Sequence, residues 1–267
     1  MPSGVSYWGN HMKTTIDFLR EYLFARPIFL SVLRSKEAAL YQQHLPLRRR
    51  VLDVGCGDGF FARVTFGNKK IDVGVDVGES RIDEAKQNNA YARIVTYDGK
   101  RLPFANRAFE TVVINSVLEH TDDVTNVIAE MHRVLVSKGT CYATVMAKPW
   151  EDNLFGAKLL GDGYRRWMKK KQVHINLFTR TQWEAAFRAA GFRVESVTPY
   201  LSPHAALWLD VLHYLSIPSL VSYRINRRWV WWPKLTAWYP AAFFTNLMEE
   251  PVDRDHAGAL FLVLKRP

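Results

Sequence analysis

Residues 51–59 read VLDVGCGDG: a short apolar run, then Gly55, Gly57 and Gly59 at every second position, then a helical pattern from Phe60. Glycines let backbone N–H groups approach a ligand closely, and a helix N-terminus carries a partial positive charge that suits an anion. A tight strand-to-helix turn without a ligand uses the same residues, so the loop alone is a weak signal. Three acids strengthen it. Asp76 ends a second β-branched run, 17 residues beyond Gly59, where a carboxylate can accept both hydroxyls of a ribose. Asp98-Gly99 follows a third run, in reach of a base, and Asp53 lies at the end of the first, placed to orient the loop or meet an amino group. The dinucleotide fingerprint would need its third glycine where Phe60 stands, and no Walker loop is present. A zwitterionic nucleoside fits this pattern better than a pyrophosphate.

Two histidines have the chemistry for proton transfer near neutral pH. His120 follows a fourth apolar run, and His174 opens the segment HINLFT. The plain alternative for His120 is a residue at a helix start, paired with Glu119 or Asp122. Cys56 reads as a small loop residue and not as a nucleophile. With Cys141 as the only other cysteine, neither a disulfide scaffold nor a cysteine-rich zinc site is expected.

The elements that must hold these residues alternate. Short runs at 50–54, 71–75, 111–115 (TVVIN) and 140–146 (TCYATVM) read as strands. Between the last two, Val124, Val127, Ile128, Met131 and Leu135 recur at helical spacing, and Lys138-Gly139 reads as the helix end. Thr181 is expected to cap another helix, with Glu184 three residues on and Gly191 closing it. Residues 193–197 and 259–264 can supply two closing strands. This pattern predicts an α/β fold, a mostly parallel sheet with helices on both faces. Residues 12–45 read as one or two helices broken at Pro27.

The DVGCGDG loop, Asp76, Asp98 with Leu102-Pro103-Phe104, FETVVINSVLEH at 109–120 and HRVLVSKG at 132–139 together resemble class I S-adenosylmethionine-dependent methyltransferases. More narrowly they resemble the type 11-like branch acting on small molecules such as quinones, sterols and natural products. The resemblance spans residues 48–198, with the last strand at 258–265, and implies a Rossmann-like seven-stranded sheet and S-adenosylmethionine as cofactor. It further implies that Gly55, Cys56 and Gly57 hold the methionine part with Asp53 near its ammonium. Asp76, with Val77 beside it, would take the ribose hydroxyls, and Asp98 the adenine amine with Gly99 alongside. Asn115 would lie under the sulfonium, and Tyr7-Trp8 would close over the cofactor. His174 and His120 are the catalytic candidates, and no metal is expected. Glu110 departs from the family's usual Asp. Asn115-Ser116-Val117-Leu118 lacks the Asn/Asp-Pro-Pro-aromatic pattern of amine-directed DNA and RNA methyltransferases, and nothing suggests an arginine or arsenic enzyme.

The resemblance leaves the flanks unexplained. The chain carries 36 Lys+Arg against 26 Asp+Glu, a formal charge of +10. Residues 51–150 sum to −1, whereas 1–50 sum to +5, 151–199 to +4 and 200–267 to +2. The excess therefore lies outside the nucleotide-binding core. Residues 164–171 read YRRWMKKK, and 205–248 are rich in tryptophan and interrupted by cations, including RINRRWVWWPKLTAWY at 224–239. Trp and Tyr mixed with Lys and Arg is the composition of a membrane–water interface. A lid packed on the core or on a second subunit and a single-stranded nucleic-acid platform remain alternatives. The expected organisation is an N-terminal helical cap (1–47), a cofactor-binding domain (48–199 and 257–267) and an aromatic-rich insertion (200–256). No stretch reaches 18 apolar residues, and the N-terminus has no signal pattern, so a cytoplasmic location is expected, with contact at a membrane surface open. The expected acceptor is a hydrophobic or amphipathic small molecule of lipid, quinone or glycolipid type. A soluble natural-product or sugar methyltransferase, and a non-catalytic methyltransferase-like binding module, are the rivals.

Overall fold

A computed structural model describes residues 13–67, 69–78 and 81–267. Two helices come first, α1 (Thr15–Leu23) and α2 (Ile28–Gln42), separated where Pro27 interrupts the helical hydrogen bonding. The alternating part follows: β1 (Val51–Val54), α3 (Phe60–Phe66), β2 (Ile71–Val77), α4 (Ile82–Asn88), β3 (Tyr91–Tyr97), β4 (Phe109–Asn115), α5 (Val124–Val134) and β5 (Leu135–Met146). Then come α6 (Pro149–Asp152), α7 (Phe155–Lys171), α8 (Arg180–Ala189) and β6 (Arg193–Tyr200). The insertion supplies α9 (Pro203–Leu215), α10 (Ile217–Asn226) and α11 (Ala241–Glu249) before β7 (Ala259–Lys265).

The seven strands form one sheet in the order β3-β2-β1-β4-β5-β7-β6, parallel except for β7, which runs antiparallel to both neighbours. Strands β1 and β4 and the part of β5 after Lys138 are almost continuously buried because they are covered on both faces. On one face Val127, Ile128 and Met131 of α5 and Trp183 and Phe187 of α8 pack with Leu52, Val112 and Ile114. On the other, Leu19, Val32 and Tyr41 of the first two helices join Leu209 and Leu247 of the insertion over Val113 and Phe261. The N-terminal helices and the insertion are thus one helical layer over one side of the sheet.

Two boundaries differ from the sequence reading. The helix expected to run to Lys138-Gly139 ends at Val134. The carbonyls of Arg133 and Val134 accept from Arg107 and Ala108, and the Arg266 guanidinium bonds the carbonyls of His132, Arg133 and Leu135. Leu135 then pairs with Phe109 as the start of β5. The cap of α8 is Thr179, in a reciprocal box with Gln182, and not Thr181 with Glu184. Glu184 instead accepts from Arg180 and Arg188, each at 2.6 Å along the helix.

Candidate active site

The glycine loop leaves β1 with Gly55, Gly57 and Gly59 all at positive φ (75°, 54° and 72°). A Cβ on Gly55 would lie 2.3 Å from Val117 Cγ2, whereas one on Gly57 would meet nothing within 4 Å. Gly55 is therefore demanded by close packing as well as by conformation, and Gly57 by conformation alone. The Gly57 N–H donates to Asp76 Oδ2 at 2.6 Å, and the Val77 N–H donates to Asp76 Oδ1 at 2.8 Å. Asp76 so ties the end of β2 to the loop, and each oxygen keeps a lone pair for a ligand.

A cleft of about 1050 Å³ opens here, outside the carboxyl ends of the parallel strands, bordered by Gly55, Asp76, Val77, Asp98, Gly99 and Val117. Asp98 accepts the N–H groups of Arg101 (3.0 Å) and Lys100 (2.9 Å) on Oδ1, which hold its carboxyl below the usual range. Asp122, Asp123 and Glu130 face the same cleft against Lys100 and Arg101, so its wall is acidic on balance.

Two residues expected at the cofactor make hydrogen bonds inside the protein. Asp53 lies buried under the loop, where its Oδ2 accepts the Tyr91 hydroxyl at 2.6 Å, and burial pushes its carboxyl up to about 7. It does not border the cleft. Asn115 donates from Nδ2 to Glu37 (2.9 Å) and accepts from the Thr144 hydroxyl (2.9 Å), so both ends of its amide are hydrogen-bonded inside the protein. The Cys56 thiol is buried and pushed up in pKa, which keeps it protonated and inert. Tyr7 and Trp8 lie outside the described residues.

A second, smaller cavity of about 170 Å³ adjoins the cleft, and Ser116 and His120 line both. Its walls are mainly apolar, with Leu33, Met146, Trp150, Met168 and Leu209. His120 sits in the 3₁₀ turn Leu118–His120 and pairs with neither Glu119 nor Asp122. Its Nδ1 is 3.0 Å from the Val173 carbonyl, and because a carbonyl only accepts, Nδ1 must carry the hydrogen. In the neutral ring, Nε2 is then a free base. Desolvation lowers the His120 pKa, so the ring is neutral near pH 7. His174 stacks on it at 5.1 Å and meets Trp150 edge-on at 4.7 Å. Burial drives His174 down to about 3, and its Nδ1 has no partner among the described residues.

The sequence reading missed three charged residues here. Glu119 is fully buried on the cavity wall, neither oxygen has a hydrogen-bond partner among the described residues, and burial raises it to about 7. Its only sequence signal was an acid inside an apolar run, next to a candidate base. Arg34 and Glu37 come from α2. Glu37 is wholly buried and accepts from Arg34, Asn115 (2.9 Å), Ser116 (3.1 Å) and Tyr200 (3.0 Å), while Arg34 also donates to Ser116 at 2.7 Å. This network fastens the N-terminal layer to the ends of β4 and β6.

A family model described as a methyltransferase domain matches residues 19–197. The chain belongs to this methyltransferase family. Among curated proteins it is 31% identical over 104 residues to the malonyl-[acyl-carrier protein] O-methyltransferase of Legionella pneumophila, covering 37% of this chain and 36% of that protein. It is 26% identical over 138 residues to the ubiquinone biosynthesis O-methyltransferase of Bartonella quintana, covering 50% of this chain and 55% of the relative. The chain spans about a third to a half of the length of these two relatives. The fold matches that of a SAM-dependent methyltransferase from Thermotoga maritima, with a TM-score of 0.56 and 17% identity over 93% of each chain. S-adenosylmethionine is the cofactor of this methyltransferase family, and the cleft fits it. Asp76 offers two carboxylate oxygens beside the open side of Gly57, and the acidic wall suits a sulfonium.

Proposed function

We propose that this methyltransferase transfers a methyl group from S-adenosylmethionine to a hydrophobic or amphipathic small molecule of lipid, quinone or glycolipid type. The observation that carries the reading is the junction of an acidic nucleoside cleft with a mainly apolar cavity at Ser116 and His120. Gly55, Gly57, Asp76, Val77, Asp98 and Gly99 would hold the cofactor, which when bound supplies a methyl group already activated on positive sulfur. The chain's own residues then have three tasks: to align the acceptor, to exclude water and to receive a proton.

The apolar walls take the part of the acceptor next to the attacking atom. His120 Nε2 takes the proton from the attacking hydroxyl or amine, and the Nδ1–H bond to the Val173 carbonyl holds the ring for it. His174, driven down to about 3, is too weak a base for that step and serves as a neutral hydrogen-bonding neighbour. Glu119, whose carboxyl sits near 7 with both oxygens unpartnered, is suited to grip a neutral polar group on the acceptor.

The test is incubation with methyl-labelled S-adenosylmethionine and an extract of bacterial lipids, followed by organic extraction. Label should enter the organic phase, and His120→Asn should lower that rate by about 10²–10⁴-fold while cofactor affinity changes little. Label found only in water-soluble products would favour a sugar or other soluble acceptor. Cofactor binding with no transfer to any fraction would favour a binding module.

A further inference from the structure

Apart from Phe24 and Val77, every large exposed apolar side chain among the described residues falls in two segments, 155–175 and 214–243. Leu160 is 71% exposed, Ile225 69% and Trp238 86%. Exposed apolar residues are ordinary when scattered and informative when gathered, and these two segments meet in space where the Tyr164 hydroxyl lies 2.5 Å from that of Tyr214. In α10 they are also ordered: Ile217, Leu220, Val221 and Ile225 recur at helical spacing on a face open to solvent, and the only buried side chain of the helix is Ser222. An amphipathic helix that turns its apolar stripe outward lacks its partner.

The same two segments hold ten cations, among them Arg166, Lys170, Lys171, Arg224 and Arg227, against one carboxyl, Asp162. Charge decides between occupants. A second copy meeting this face through a twofold axis would set the cationic patch against itself. A single-stranded nucleic acid would satisfy the cations and stack on the tryptophans, but would leave Leu159, Leu160, Leu215 and Ile225 without a partner. An anionic bilayer surface satisfies both groups at once, because acyl chains receive the apolar tips while headgroups meet the cations.

We propose that this face docks on an anionic membrane surface, with α10 lying in the interface and the tryptophan-rich stretch 229–238 beside it. Docking is peripheral. No single described helix is long and apolar enough to cross a membrane; α9 and α10 together have the length and composition for it, but the pair is bent by 43° and Leu209 and Leu212 of α9 are buried in the core. The inner sides of the same helices line the small cavity, through Met168 and Gln172 at the end of α7 and Leu209 and His213 of α9. At its rim Gln172 Nε2 lies 3.5 Å from His213 Nδ1, next in sequence to the exposed Val173 and Tyr214. A docked protein would therefore present its acceptor cavity to the leaflet. This delivery rests on the function proposed above, whereas docking itself does not.

Flotation on vesicles tests it, with phosphatidylcholine alone or mixed with phosphatidylglycerol, at low and high salt. The full chain should float only with the anionic vesicles at low salt. Lys170→Ala with Lys171→Ala should weaken partitioning by about 30-fold, since each basic residue near such a surface contributes about fivefold. Ile225→Ser should weaken it by about tenfold. Both variants should keep the wild-type melting temperature and cofactor affinity. A protein that stays in the bottom fraction with anionic vesicles at low salt overturns the inference. So does a wild-type dimer that Ile225→Ser dissociates, or binding to single-stranded oligonucleotides in place of vesicles. Flotation without methyl transfer would retain docking and discard the proposed activity, and transfer to a lipid acceptor without flotation would do the reverse.

Discussion

Gly55→Ala isolates the geometry of the cofactor loop. The new Cβ meets Val117 Cγ2 at 2.3 Å and Cγ1 at 2.9 Å, on a backbone held at φ +75°. The left-handed conformation costs a non-glycine residue about 1–2 kcal/mol, and overpacking adds about 1–3 kcal/mol. The expected loss is therefore about 2–5 kcal/mol. Gly57→Ala shares the positive φ but meets open space, so it should lose only about 1–2 kcal/mol. Val117→Ala removes both clashing atoms. Placed in the Gly55→Ala background, it should recover most of the packing penalty and leave the conformational one. Urea unfolding of the four proteins without cofactor reads these differences directly. Gly55→Ala no less stable than Gly57→Ala, or unchanged by Val117→Ala, would refute the packing argument.

Other consequences follow from the buried charges. Glu37→Ala should cost about 3–5 kcal/mol, because it strips Arg34 of its carboxylate partner inside the protein, and Glu37→Gln should cost less. Denaturant midpoints check both. Glu119 and Asp53 are each raised to about 7 by burial, so both bind protons more tightly in the folded state. Their protonation favours folding most at low pH, and that stability is lost as pH rises through about 7. His174, lowered to about 3, acts in the opposite sense: its contribution is intact above its ordinary 6.5 and is lost as pH falls toward 3. Thermal melts of Glu119→Gln should accordingly show a smaller loss of stability than the wild type as pH rises from 4.5 to about 7. An unchanged pH profile would contradict the buried, unpaired carboxyl.

The parts of the site legible in the sequence are those whose meaning is local. The glycine loop, the acids ending β2 and β3, and the strand–helix alternation all follow from neighbours within a few residues. So does the break at Pro27. What was not legible depends on distant segments. Asn115 could not be assigned to Glu37, 78 positions away, until α2 was seen to fold over the end of β4. Asp53 and Tyr91 meet across 38 positions through the sheet order β3-β2-β1. The end of α5 was misread because apolar spacing continues through Leu135, whereas the competing claims on its carbonyls come from residues 107–108 and from Arg266. The charge excess was visible from composition, but only the structure shows α10 turning an apolar face to solvent beside Arg224.

Calorimetric titration with S-adenosylmethionine, comparing the wild type with Asp76→Ala, tests the cofactor site most directly. Asp76 offers two charged hydrogen-bond acceptors, each contributing about 1.5–3 kcal/mol, so its loss should weaken binding by at least about a hundredfold while the fold persists. Tight binding by the wild type and near-abolition in the variant is the predicted result. No binding by the wild type, or equal binding by both proteins, would contradict the account.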